Sequence, residues 1–208
     1  MEKSWSAKKK NSKSKSGKEI ILGKDALQRK MSGANNGFER AIEELDRKKN
    51  YILNGDEPFL KALAISDARG RVHDKKQAKF RQINRFLEHI RDIEHALPTE
   101  GTLLIYDLCC GKSYLSFAIY YYFTQIRGCK VVMDCVDLKT DVIEFCDGVA
   151  KKLHYTGLHF MAGDIRTFQI RRTPDLTVSL HACDIATDIV LAKGIDSGSR
   201  VILSTPCC

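Results

Sequence analysis

The sequence contains no run of about 18 apolar residues, so no segment reads as a helix that crosses a bilayer. Its first residues hold no apolar stretch of the secretory kind, so export is not expected. Its eight cysteines include no C-x-x-C pair, which excludes zinc-finger spacing. Thiols in a chain without an export signal point to a reducing, cytoplasmic setting. No stretch repeats. Most of the chain also lacks a charge imbalance. The formal net charge is +8, but residues 1–18, "MEKSWSAKKKNSKSKSGK", hold seven Lys against one Glu and leave only +2 for the rest. A Lys/Ser stretch of this kind buries too little apolar surface to offset the entropy of ordering it, and reads as a disordered tail. Such a tail either holds phosphate backbones through counterion release or simply keeps the terminus in solution.

What is present begins with a mainly helical region, 19–100. "FERAIEELDRKKNYIL" carries a rough apolar stripe at 38, 41, 42, 45 and 52, broken by "NGDEP". The stronger helix spans 74–97. Its residues Phe80, Ile83, Phe86, Leu87, Ile90, Ile93 and Leu97 repeat at spacings of three and four, with Asp74 as candidate cap and Pro98 as stop. Lys76, Lys79, Arg81, Arg85 and Arg91 form a basic opposite face, the usual pattern of a solvated surface.

From 101 to 208 apolar strands alternate with helices. "TLLIYDL", "KVVMDCVDL", "LHFMAGDI", "DLTVSLHAC" and "RVILSTPCC" read as strands, with "SYLSFAIYYYFTQI", "DVIEFCDGVAKKLHY" and "IATDIVLAKGI" as helices. Strands this apolar require cover on both faces, so the fold class is α/β with a doubly wound parallel sheet and a helical N-terminal extension. In such sheets ligands sit at the carboxyl ends of the strands. Asp107, Asp137 and Asp164 follow the first three strands; His181, Cys183 and Asp184 follow the fourth, and Cys207 and Cys208 the fifth. An acid after the second strand suits ribose hydroxyls, and one after the third an exocyclic adenine amine. Taken singly, each acid is an ordinary turn or cap residue.

The turn after the first strand, "DLCCGKSYL", holds one glycine, Gly111, where a pyrophosphate-binding turn needs two or three. A dinucleotide is therefore disfavoured, and with it a nicotinamide-dependent reductase. A ligand with ribose, adenine and an amino-acid end but no phosphate suits the three acids.

The segments "DLCCGKSYLSFAIYYYF", "VDLKTDVIEFC", "AGDI", "VSLHACDIATDIVLAKGI" and "VILSTPCC", in that order, resemble class I S-adenosylmethionine-dependent methyltransferases. The closer likeness is to a bacterial branch with D-x-x-x-G-K-x-Y-L, HACDxATD and PCC motifs. "RKKNYIL" and "AKFRQINRFLEHI" resemble its lead-in, so the likeness covers 47–208. It implies S-adenosylmethionine as cofactor, bound by Asp107, Cys109, Gly111, Tyr114, Asp137, Leu138, Asp164 and Ile165. Asp107, Gly111 and Tyr114 would line the methionine end, Asp137 would bind the ribose, and Asp164 and Ile165 would meet the adenine. His181 would sit beside the transferable methyl, with His181 and Asp184 the candidate catalytic residues. Two positions depart from the family pattern: Cys109 and Ser113 stand where it usually has glycine. The family's sheet has seven strands, and five are readable here, so a C-terminally truncated Rossmann-like domain is expected.

Cys109, Cys110, Cys183, Cys207, Cys208 and His181 gather at one sheet edge in the strand order 3-2-1-4-5. They read either as a zinc site or as half-buried thiols packed against the cofactor. No metal is assigned. His181 reads either as a general base or as a neutral, hydrogen-bonded strand-end residue. The basic tail and the basic helix face favour RNA as methyl acceptor. The rival is a catalytically degenerate methyltransferase-like module that binds RNA or protein.

Overall fold

The computed structural model describes residues 51–179, 182 and 184–205. The basic tail, most of the expected 38–53 helix, His181, Cys183, Cys207 and Cys208 lie outside the described residues. Within the described part of that helix, Tyr51–Leu53 have irregular backbone instead. Among the described residues no helix is long and apolar enough to cross a membrane.

Five parallel strands make one sheet in the order β3-β2-β1-β4-β5. They are β1 (Thr102–Leu108), β2 (Lys130–Asp137), β3 (Leu158–Ala162), β4 (Leu176–Ser179) and β5 (Val201–Ser204). The chain moves outward from β1 to β3, then returns to the other side of β1, so the switch point lies between β1 and β4. Six of the seven β1 residues are buried, because strands pair on both edges and helices cover both faces. Alternation assigns the faces: Leu103 and Ile105 enter the larger core, while Leu104, Tyr106 and Leu108 enter the smaller one.

The larger core takes α3 (Tyr114–Tyr121) and α4 (Thr140–Lys152) through Leu115, Phe117, Ile119, Ile143, Cys146 and Val149. The smaller core is closed by α5 (Ile185–Asp196), which buries only Val190 and Gly194. Two strands end earlier than their apolar runs. β2 stops at Asp137, and β3 at Ala162, where the Asp164 carbonyl accepts from Thr167 and Phe168 and starts a turn. The helix expected over 113–126 stays α-helical only to Tyr121 and finishes as a π turn, Tyr122–Ile126, with Thr124 Oγ1 donating to the Tyr120 carbonyl at 2.7 Å.

Residues 51–100 add to the larger core. α1 (Pro58–Ala62) starts at a proline and buries Phe59 and Leu60. The turn before it is held by Glu57, whose two carboxylate oxygens accept from the amides of Asn54 and Gly55, both at 2.9 Å. Gly55 is required there: its φ is +105°, and a Cβ would lie 2.3 Å from the Gly70 carbonyl oxygen. α2 (Gln77–Ile93) buries Phe80, Ile83, Phe86, Leu87 and Ile90 at helical spacing. Asp74 does not cap it; a 3-10 turn, Asp74–Lys76, leads in, and the Asp74 carboxylate faces Arg71 at 3.4 Å. The far end is fixed by Glu94, which accepts from the Tyr122 hydroxyl at 2.9 Å and pairs with Arg127 at 3.0 Å.

One polar residue interrupts the buried stripe of α2. Asn84 is fully buried, accepts from the Leu53 amide at 2.8 Å and donates to the Phe80 carbonyl at 3.2 Å. Asn84→Ala leaves the Leu53 N–H buried and unpaired, and is expected to cost about 1–3 kcal/mol, read as a lower urea midpoint at unchanged slope.

Candidate functional site

The carboxyl ends of β1, β2 and β3 open into a cleft of about 760 Å³. The loop after β1 supplies Cys109, Gly111 and Lys112, with Tyr114 at the first turn of α3. The loop after β2 supplies Asp137, Leu138 and Lys139, and α4 adds Val142. The loop after β3 supplies Asp164, Ile165 and Arg166, and α5 adds Ala186 and Ile189. Lys76, in the 3-10 turn before α2, and Lys79, in the first turn of α2, complete the wall.

The β1 loop is tightly wound. Cys109 and Cys110 both donate their amides to the Val136 carbonyl, at 2.9 and 3.0 Å. Gly111 N–H donates to Asp137 Oδ2 at 2.8 Å, and Ser113 N–H to the Cys110 carbonyl at 2.9 Å. Asp137 Oδ1 also accepts from the Lys139 amide at 3.1 Å, so one carboxylate ties the loops after β1 and β2 together. The winding demands left-handed backbone at three positions: Cys109 (φ 71°), Gly111 (φ 53°) and Ser113 (φ 56°). Glycine adopts this freely, whereas cysteine and serine carry a cost of about 1–2 kcal/mol each. Ser113 has a local compensation, its hydroxyl donating to the Gly111 carbonyl at 3.2 Å. Cys109 and Ser113 thus take glycine-like conformations without being glycine.

Asp107 lies behind the loop rather than on the cleft wall. Its place on β1 matches that of Leu103 and Ile105, so its side chain shares the face that receives α3. It is 1% exposed, and Oδ2 accepts from the Ser116 hydroxyl at 2.5 Å. Oδ1 has no partner among the described residues. Burial raises its pKa to about 7 against the lowering effect of Ser116, with a smaller upward contribution from Asp137. The Cys109 thiol is pushed up to about 11, by burial first and then by the charges of Asp137, Asp107 and Asp164. Cys110 and Cys135 are raised further, again chiefly by burial, and are inert packing thiols.

Asp164 is held by Arg166. Both carboxylate oxygens accept from the guanidinium, at 2.5–3.0 Å, and Oδ1 also takes the Arg166 amide at 2.9 Å. Those bonds hold the carboxyl below its ordinary range. Leu138 is 69% exposed inside the cleft, an apolar surface open to a ligand.

Seven of the eight residues expected to hold a cofactor therefore meet on one cleft, and Asp107 stands behind it. Asp184 precedes α5 with φ 53° and is exposed, away from the cleft lining. His181 and the other strand-end cysteines lie outside the described residues. Among the described residues, no three His, Cys, Asp or Glu side chains gather as a metal site. Sequence reasoning did not place Lys112, Lys139, Val142, Arg166, Ala186 or Ile189 on the site, although three of them flank motif acids or the motif glycine. It read Lys76 and Lys79 as part of a basic helix face, a solvated surface that also favoured RNA as acceptor, and not as part of the cleft wall.

A family profile described as a methyltransferase domain matches residues 78–208, more than half of the chain. No curated protein matches the sequence. Among solved structures, a candidate RNA methyltransferase from Pyrococcus horikoshii is similar at 15% identity and a TM-score of 0.46, covering 60% of this chain and 56% of that one. Coclaurine N-methyltransferase, bound to N-methylheliamine and SAH, is similar at 13% identity and a TM-score of 0.44, covering 65% and 39%. Geranyl diphosphate C-methyltransferase from Streptomyces coelicolor is similar at 14% identity and a TM-score of 0.37, covering 57% and 44%. The chain thus spans between 39% and 56% of the length of these three structures.

Two outcomes are expected from the loop. Cys109→Gly removes the left-handed cost at a half-exposed position and is expected to raise stability by up to about 1 kcal/mol, measured by thermal unfolding. The Asp107 carboxyl, raised on folding, stays protonated in the folded chain while its unfolded counterpart ionises. Its contribution therefore falls as pH rises from about 4 to about 7 and is flat above that. Asp107→Asn is expected to remove this loss, on the order of 4 kcal/mol at most, so its unfolding midpoint should exceed that of the unsubstituted chain at pH 8 by more than at pH 4.

Proposed function

We propose, from the premise that the chain belongs to the methyltransferase-domain family, that it is an S-adenosylmethionine-dependent methyltransferase with RNA as acceptor. The observation that carries the cofactor is the use of the β1 loop amides. Cys109, Cys110, Gly111 and Ser113 all donate within the fold. A pyrophosphate needs such amides free, so the loop suits a cofactor without phosphate. The cleft residues fit that cofactor in chemistry. Asp137 sits where ribose hydroxyls can donate to it, Leu138 and Ile165 offer apolar surface to the adenine, and Tyr114 borders the methionine end. Asp107 accepts from Ser116 behind the loop.

The cofactor supplies a methyl group on a positively charged sulfur, open to in-line attack by an acceptor lone pair. The chain's part is to hold the two partners in line and keep the site dry. His181, two residues beyond β4, is the candidate to take the acceptor proton, histidine being the side chain type suited to that work near neutral pH. Asp184 would help shape the acceptor side. One observation favours a second reading, a methyltransferase-like module that binds RNA or protein without transfer: Arg166 already occupies both oxygens of Asp164.

Titration calorimetry of S-adenosylmethionine and NAD tests this reading. Binding of the former alone is expected, weakened about ten- to a hundredfold by Asp137→Ala, the scale of one hydrogen bond to a charged group. No binding of either ligand favours the second reading, and binding of NAD alone overturns both.

A further inference from the structure

We propose that Lys76 and Lys79, gathered over the ring of Tyr114, form a phosphate clamp that holds the RNA acceptor at the mouth of the cofactor cleft. This rests on the methyl-transfer reading above. Lys76 Nζ lies 5.8 Å from the Tyr114 ring centroid and Lys79 Nζ 5.6 Å. The two are three residues apart on one helical face, so both ammonium groups point to the same place. The face of an aromatic ring attracts each cation but does not remove their mutual repulsion. An anion bridging them does.

The charge of the whole cleft points the same way. Its lining holds five cations, Lys76, Lys79, Lys112, Lys139 and Arg166, against two acids, Asp137 and Asp164. Asp164 and Arg166 satisfy one another. Among the described residues no carboxylate forms an ion pair with any of the four lysines; Lys79 has only a neutral partner, Gln82 Oε1 at 2.6 Å. The cofactor does not balance this excess, since its sulfonium and ammonium outnumber its single carboxylate. A second substrate that carries negative charge would balance it.

The arrangement favours phosphodiesters. Lysine binds phosphate as a point charge. The four ammonium groups, none in an ion pair among the described residues, are also spread along the cleft, from the start of α2 across the β1 loop to the β2 loop, which suits a strand with successive phosphates better than one compact anion. α2 is anchored by its buried stripe and by Asn84, so the clamp is held in place before any ligand arrives. Desolvation, followed by the Lys76 charge, lowers the Lys79 pKa, in keeping with two cations kept together.

The test is fluorescence anisotropy on the full chain, with a labelled single-stranded oligouridylate as probe. Lys76→Gln/Lys79→Gln is compared with Lys75→Gln/Lys152→Gln, which removes the same charge from exposed positions off the cleft and leaves the basic tail intact. The clamp variant is expected to lose at least about tenfold in affinity and to show a salt slope shallower by about 1.4, two phosphate contacts on a single strand. The control is expected to stay within about twofold. Equal affinity of the two variants, with thermal midpoints matching the unsubstituted chain, overturns the clamp. Uridine monophosphate competing as well as the oligomer at equal phosphate overturns the polymeric acceptor in favour of a nucleotide. Polyglutamate competing equally overturns it in favour of an acidic protein. S-adenosylhomocysteine titrated into the unsubstituted chain separates the two readings: if it fails to bind while the clamp variant still loses the probe, the clamp stands and the methyl-transfer reading falls.

Discussion

β1 is paired on both edges and covered on both faces, and the rest of the molecule is arranged around that constraint. A strand so enclosed is apolar along its length and delivers polar chemistry only where it leaves the sheet. The β1–β2 register, Thr102 against Lys130 through Leu108 against Val136, sets Asp137 just past the end of β1. From there its carboxylate reaches the Gly111 amide. That bond turns two separate loop ends into one wall of a cleft. Asp107 is the exception to the apolar rule and shows its cost: a carboxyl inside the sheet boundary, with one oxygen answered by Ser116 and the other by nothing described.

Much of this was legible in the sequence, because both periodicities were strong. "TLLIYDL" coincides with β1, since its apolar run Leu103–Tyr106 is bounded by the glycine turn before it and the Cys-Cys-Gly turn after it. The stripe Phe80 to Ile90 located α2 for the corresponding reason. Strand ends were less legible. The run "LHFMAGDI" continues past β3, where loop packing, and no longer pairing, keeps Ile165 buried. Asp74 stands at a helix start by sequence, but an intervening 3-10 turn takes the capping position from it.

The candidate site was legible where it lies close to its motif, and not where the chain returns from a distance. Cys109, Gly111, Asp137 and Asp164 follow directly from strand ends. Lys76 and Lys79 precede β1 by more than a helix, and only the packing of α2 beside α3 brings them to Tyr114. The place of Asp107 behind the cleft was not legible for another reason. A residue at the end of a strand faces the ligand or the core according to its parity, and the parity of β1 turns Asp107 toward α3.

The left-handed turns at Cys109 and Ser113 bear on how relatives of this chain are to be found. Here the backbone handedness that glycine ordinarily supplies is taken by residues that are not glycine. A pattern written in letters, requiring glycine at both places, would pass over this chain. One written in backbone handedness would retain it, together with other sequences whose loops follow the same path with small polar or sulfur-bearing side chains.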